Sequence, residues 1–131
     1  MDRDALINSI RARLPALLAI HAFGSRIEGT HRADSDLDLA VLVEGYADPL
    51  LLWELAGDLA DIAGTHVDLL DFRAASTVMQ HRILTAGERW WARDGQADLY
   101  EAAVLSEKLE LDRARAGLLR DIQERGSVHG R

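Results

Sequence analysis

Cysteine is absent from the 131 residues, which excludes disulfides and thiolate metal sites and fits a reducing compartment. Lysine is nearly absent too: Lys108 stands alone, so arginine supplies 14 of the 15 basic residues. Against 22 acidic residues these leave a net charge of −7. Nonspecific affinity for nucleic acid comes largely from basic residues that neutralise phosphates, so the balance argues against broad nucleic-acid binding. A local arginine cluster can still grip a triphosphate or an acidic partner through its planar fork. No apolar run approaches a membrane span. The charged opening Met1-Asp2-Arg3-Asp4 leads into an amphipathic pattern rather than a signal sequence, so the expected location is the cytoplasm. No repeat or low-complexity linker divides the chain, and 48% hydrophobic residues suffice for one core.

The apolar pattern predicts helix, strand, short turn-helix, strand, helix, strand, helix, short strand and long helix. This is a mixed α/β (α+β) order, a small sheet flanked by helices. Leu6, Ile10 and Leu14 share a face of the first helix, which stops near Pro15. The next long helix begins at Asp48-Pro49 and ends before Gly64, with Leu51, Leu52, Leu55, Leu59 and Ile62 as its inner stripe and Trp53 near its start. A further helix is expected over 74–85, broken by Gly87, and a short edge strand over 88–91. In a regular strand Trp90 and Trp91 would point to opposite faces. The last helix is expected over about 96–123, with Leu99, Ala102, Leu105, Leu109, Leu118 and Ile122 among its apolar positions. At roughly 40 Å it exceeds what a small sheet covers, leaving part free for another chain. These boundaries make 1–124 one domain and 125–131 a flexible tail.

Chemistry concentrates between residues 17 and 71. Leu17 to Phe23 is apolar apart from His21 and ends at Gly24, where a missing Cβ permits a sharp turn. Ser25 then opens a short helix, whose first N–H groups favour an anion and whose hydroxyl adds a donor for a phosphate oxygen. Leu37 to Val43 reads as a buried strand. Asp36 and Asp38 begin it and share a face, roughly 6.6 Å apart along the strand. Two carboxylates so placed repel each other and can share a divalent ion or two ions. A third acid comes from 66–71: Asp68 can join their face from a neighbouring strand, whereas Asp71 stands where it could cap the next helix. Together these residues form a site for a metal-bound nucleoside triphosphate.

Other motifs fail on their own requirements. The series Asp34, Asp36, Asp38 is no EF-hand, because the sixth position is Leu39 and the twelfth is Gly45. Gly24 to Thr30 has Walker A glycine spacing but no lysine before the threonine, and a hydrolase elbow would need glycine two places to either side of Ser25, where Phe23 and Ile27 stand. His21, His31, His66, His81 and His129 show no paired zinc-ligand spacing.

The pattern Gly24-Ser25, ten residues, then Asp36-Leu37-Asp38, followed by a strand aspartate at Asp68, resembles the DNA polymerase β-type nucleotidyltransferase superfamily. Within it the chain is similar to the minimal nucleotidyltransferase (MNT) antitoxins, and Arg26 after the serine suits that pattern. The resemblance implies a polymerase β-like fold and metal-dependent transfer of a nucleotide. Asp36 and Asp38 would bridge two Mg2+ ions, Asp68 would complete the ion that activates the acceptor hydroxyl, and Gly24, Ser25 and Arg26 would bind the nucleotide. It further implies ATP as donor and a HEPN-family ribonuclease toxin as partner, inactivated by AMPylation of a tyrosine hydroxyl. Two alternatives stay open: a steric antitoxin without catalysis, and a nucleotidyltransferase acting on a small hydroxylated molecule such as an aminoglycoside.

Overall fold

The structure, a computed structural model, describes residues 1–29 and 35–128. Helix α1 (Arg3–Arg13) opens on Asp2, whose carboxylate accepts from Ala5 N, and turns Leu6, Ile7 and Ile10 inward. Strand β1 (Leu17–Phe23) is buried along its whole length, as an apolar run covered on both faces must be. The one-turn helix α2 (Ser25–Glu28) follows, and after the motif loop comes β2 (Leu37–Val43). Helix α3 (Pro49–Ala63) takes the expected Asp48 cap and ends at Gly64, which has φ 72°. It returns the chain to β3 (Val67–Asp71). A 3-10 turn (Phe72–Ala74), helix α4 (Thr77–Ala86), strand β4 (Glu88–Ala92) and helix α5 (Gln96–Val128) complete the chain.

The strands form one sheet in the order β3-β2-β1-β4. β1 pairs antiparallel with β2 and β4, whereas β2 and β3 run parallel, as the crossover through α3 requires. One core lies between the sheet and α1 and α3, built on Leu6, Ile10, Ile20, Leu39, Leu55 and Leu59. The other lies on the opposite face, where Phe72, Ile83, Ala97 and Val104 meet Leu18, Phe23 and Leu42. The start of α5 is pinned there by charge. Arg89 donates to Asp98 at 2.6 Å and to Glu101 at 2.8 Å, and buried His21 brings Nε2 within 2.6 Å of Glu101 Oε1, though the two atoms are not aligned as a hydrogen bond.

Several local expectations are corrected. Trp90 and Trp91 do not face opposite ways. His21 pairs with Arg89 and Ile20 with Trp91, so Trp90 is the extra residue of a β-bulge, which breaks the two-residue alternation. Both rings pack against the α1 side of the sheet, under the guanidinium groups of Arg3 and Arg11. Ile62 leaves the inner stripe of α3 and is 39% exposed. The helix expected from residue 74 starts at Thr77, because Ser76 supplies the cap and the 3-10 turn occupies the preceding residues.

Helix α5 runs past residue 123 to Val128, so residues 125–128 of the expected tail are helical; 129–131 lie outside the described residues, as do His31 and Asp34 of the motif loop. Beyond Val104 its leucines, Leu105, Leu109, Leu111, Leu118 and Leu119, are exposed. No helix among the described residues is long and apolar enough to cross a membrane.

Phe72 is fully buried, stacked on His21 with centroids 5.8 Å apart and edge-on to Tyr100 at 6.0 Å. Phe72→Ala is expected to cost about 3–5 kcal/mol, read as a lower urea midpoint.

Candidate active site

The candidate site residues lie where β1 ends and β2 and β3 begin. Antiparallel pairing sets Phe23, the last residue of β1, opposite Asp38, and parallel pairing sets Asp38 beside Asp68. Gly24, Asp38 and Asp68 therefore stand in a row across three adjacent strands. Gly24 has φ 81° and ψ −166°, a conformation that favours glycine. A Cβ there would also run into Asp38 Oδ2. Glycine at this position thus serves the turn and makes room for the carboxylate.

Helix α2 closes through Ile27 N and Glu28 N, which donate to the Gly24 carbonyl at 3.1 and 3.0 Å. Its opening N–H groups, Ser25 first, begin beside Asp38. The Nε of Arg26 donates to the Ser35 carbonyl at 2.7 Å, so this side chain ties α2 to the residue just before Asp36. On the other side Leu37 N donates to the His66 carbonyl at 3.0 Å. The residues on either side of Asp36 are thereby tied to α2 and to His66.

Asp36 precedes β2 rather than starting it. Its carboxylate groups with His66 and Asp68, each offering one ligand atom within 4.8 Å of the others, all three exposed. Asp38 is half-buried. Burial, the negative charge of Asp68, a hydrogen bond to Asp68 that favours the protonated form, and the charge of Asp36 push its pKa from 3.8 up to about 6, while His66 opposes the shift. Asp38 does not belong to the group of converging ligand atoms, but it leans on Asp68 from the β1 side.

Asp71 is not part of this cluster. It is buried, accepting from Ala47 N at 2.9 Å and Arg73 N at 3.0 Å, which is the capping role expected of it. His66 was missed by a search for paired zinc spacing. It sits two residues before Asp68, with Nε2 3.0 Å from Asp68 Oδ1, and the signal that could have found it is that i, i+2 step along an extended segment. The donor set suits a hard divalent cation: carboxylate oxygens satisfy Mg2+, whereas an imidazole nitrogen suits transition metals. His66 is accordingly better placed to orient Asp68 than to bind Mg2+ itself.

Residues 6–96 match the family described as Polymerase beta, Nucleotidyltransferase. The protein adenylyltransferase MntA of Shewanella oneidensis is 33% identical over 122 residues, covering 93% of this chain and 88% of MntA. A crystal structure of a toxin-antitoxin with AMP-PNP superposes with TM-score 0.80 at 32% identity, covering 94% of this chain and 99% of that one. A tri-AMPylated Shewanella oneidensis HEPN toxin in complex with MNT antitoxin contains a chain of 30% identity and TM-score 0.72, with 92% and 95% covered.

The raised pKa of Asp38 has a stability consequence. Its folded value of about 6 exceeds the ordinary 3.8, so the folded state holds the proton more tightly and this contribution is lost as pH rises through 6. Without divalent ions, the wild-type chain should lose stability relative to Asp38→Asn between pH 4 and 6 and then level off, as measured by urea unfolding at each pH. Gly24→Ala, which strains the turn and displaces Asp38, should lower both the melting temperature and nucleotide affinity.

Proposed function

The chain belongs to the polymerase β-type nucleotidyltransferase family, and from that premise we propose that it is the antitoxin of a HEPN/MNT pair. In this reading it moves AMP from ATP to a tyrosine hydroxyl of its HEPN ribonuclease toxin and so inactivates the toxin. The observation that carries the proposal is the row Gly24, Asp38, Asp68 across three strands, joined to the identity with a protein adenylyltransferase over nearly the whole chain.

Each residue has a part. The Gly24-Ser25 turn receives the β- and γ-phosphates through backbone N–H groups at the start of α2 and the Ser25 hydroxyl. Arg26, held to Ser35, fixes the turn against the loop that delivers Asp36 and lends positive charge beside the triphosphate. Asp36, Asp38 and Asp68 are the residues that would hold Mg2+. Bound there, two such ions would supply Lewis-acid stabilisation of the phosphates and a more acidic acceptor hydroxyl. Asp68, oriented by His66, faces the acceptor. The acceptor oxygen bonds to the α-phosphorus, the bond from that phosphorus to the bridging oxygen of pyrophosphate breaks, and the phenolic proton passes to water. Catalysis is chiefly positioning and charge stabilisation.

Among the described residues only α5 extends past the family match at residue 96, so the acceptor of this reading is a folded chain that docks on this unit rather than a small molecule held in a second domain. The exposed leucines along its distal half are consistent with a protein partner in a hetero-oligomer. We place the reaction in the cytoplasm, in keeping with a chain that lacks cysteine.

The test is intact-mass spectrometry of the cognate toxin after incubation with this chain, ATP and Mg2+. The wild-type chain should add one or more AMP units, and chelation of Mg2+ or the Asp36→Asn/Asp38→Asn pair should abolish the adduct. Neutralisation by the double variant without any adduct would replace catalysis with steric binding.

A further inference from the structure

Beside the carboxylate cluster, a groove of about 830 Å3 runs along the outer side of β3 against α3, from Tyr46 and Ala74 at one end to His66 and Asp68 at the other. We propose that this groove is the acceptor subsite, and that it seats an extended polypeptide segment of the partner whose aromatic hydroxyl residue reaches Asp68. The inference rests on the AMP-transfer reading above and names where its protein substrate lies.

The direction of the reaction places the acceptor on this side. In-line displacement requires the attacking oxygen to approach the phosphorus opposite the leaving pyrophosphate. The phosphate turn, Gly24-Ser25, lies on the β1 side of Asp38, and Asp68 lies on the β3 side. An acceptor therefore enters from beyond β3, where the groove opens.

The walls fit a peptide. β3 is the last strand of the sheet, so among the described residues its outer backbone groups pair with no further strand. An unpaired edge is a template for an added strand, with main-chain hydrogen bonds for affinity and side-chain pockets for specificity. The five residues of β3 offer about 16 Å of such edge.

The facing wall is α3, where Gly57 lines the groove. A Cβ at Gly57 would meet nothing within 4 Å, so this stretch of the helix faces open space. A larger side chain at this position would therefore project into the groove. At the mouth stand Trp53 and Tyr46, each 75% exposed. Exposed aromatic rings beside an apolar groove mark a contact surface.

Steady-state AMP transfer to the toxin tests the proposal with the wild-type chain, Gly57→Leu, which fills the groove, and Trp53→Ala, which removes the exposed ring. Trp53 lies outside the core, so its variant carries the test should Gly57→Leu fail to fold. Either variant should raise KM for the toxin by about tenfold or more and leave KM for ATP unchanged. A rise in KM for ATP instead would assign the groove to the nucleotide and overturn the proposal, as would unchanged KM for the toxin in both variants. Absence of transfer by the wild-type chain would overturn the AMP-transfer reading itself and this inference with it.

Discussion

Asp38 and Asp68 lie side by side because β2 and β3 run parallel in a register that pairs them, and the rest of the molecule is arranged around that contact. Two carboxylates at neighbouring strand positions repel, and burial adds to the cost for Asp38. Such an arrangement persists only where the surrounding structure enforces it. Here the enforcement comes from hydrophobic packing away from the charges. The strand residues on either side, Leu37 and Leu39, are fully buried against α1 and α3, and β2 cannot shift register without exposing them.

The same packing determines how the row extends in both directions. β1 is covered on both faces, and its end delivers Gly24 against the Asp38 carboxylate, where a Cβ would collide with Oδ2. On the far side, α3 returns the chain so that β3 runs parallel to β2, and its start brings His66 and Asp68 level with Asp36. In the proposed reaction the Gly24-Ser25 turn, the carboxylates and the acceptor would follow one another across the sheet in the order in which in-line transfer uses them. The bipartite design has a further consequence. Because the candidate site residues all come from β1, β2, β3 and the turn at α2, the exposed leucines of distal α5 and the groove beside β3 would, in the proposed function, be left for the partner.

Much of this was legible beforehand because it rests on local signals. The bounds of β1 and α3 and the end of β2 were legible from mostly apolar runs, from the Asp48-Pro49 start and from Gly64, whereas Asp36, expected to begin β2, precedes it. Asp71 behaved as the cap that its place at a strand end suggested. The misreadings share a different cause. The bulge at Trp90 arises from how β4 meets β1, which the sequence of β4 does not encode alone. Exposure of Ile62 depends on where α3 ends relative to the sheet, and the 3-10 turn before α4 depends on Phe72 being drawn into the core.

The amino-acid sequence by itself determined the kinds of group at the site and their spacing: a glycine turn, two aspartates one residue apart, and a third aspartate in a later strand. Those facts depend on covalent spacing and on the two-residue period of a strand, which hold whatever the chain packs against. Only the tertiary structure decided that Asp38 pairs with Asp68, that the carboxylate of Asp36 converges with His66 and Asp68, that Arg26 reaches Ser35, and that among the described residues β3 is an edge strand. These depend on strand order and register, which are selected by burial of side chains far apart along the chain.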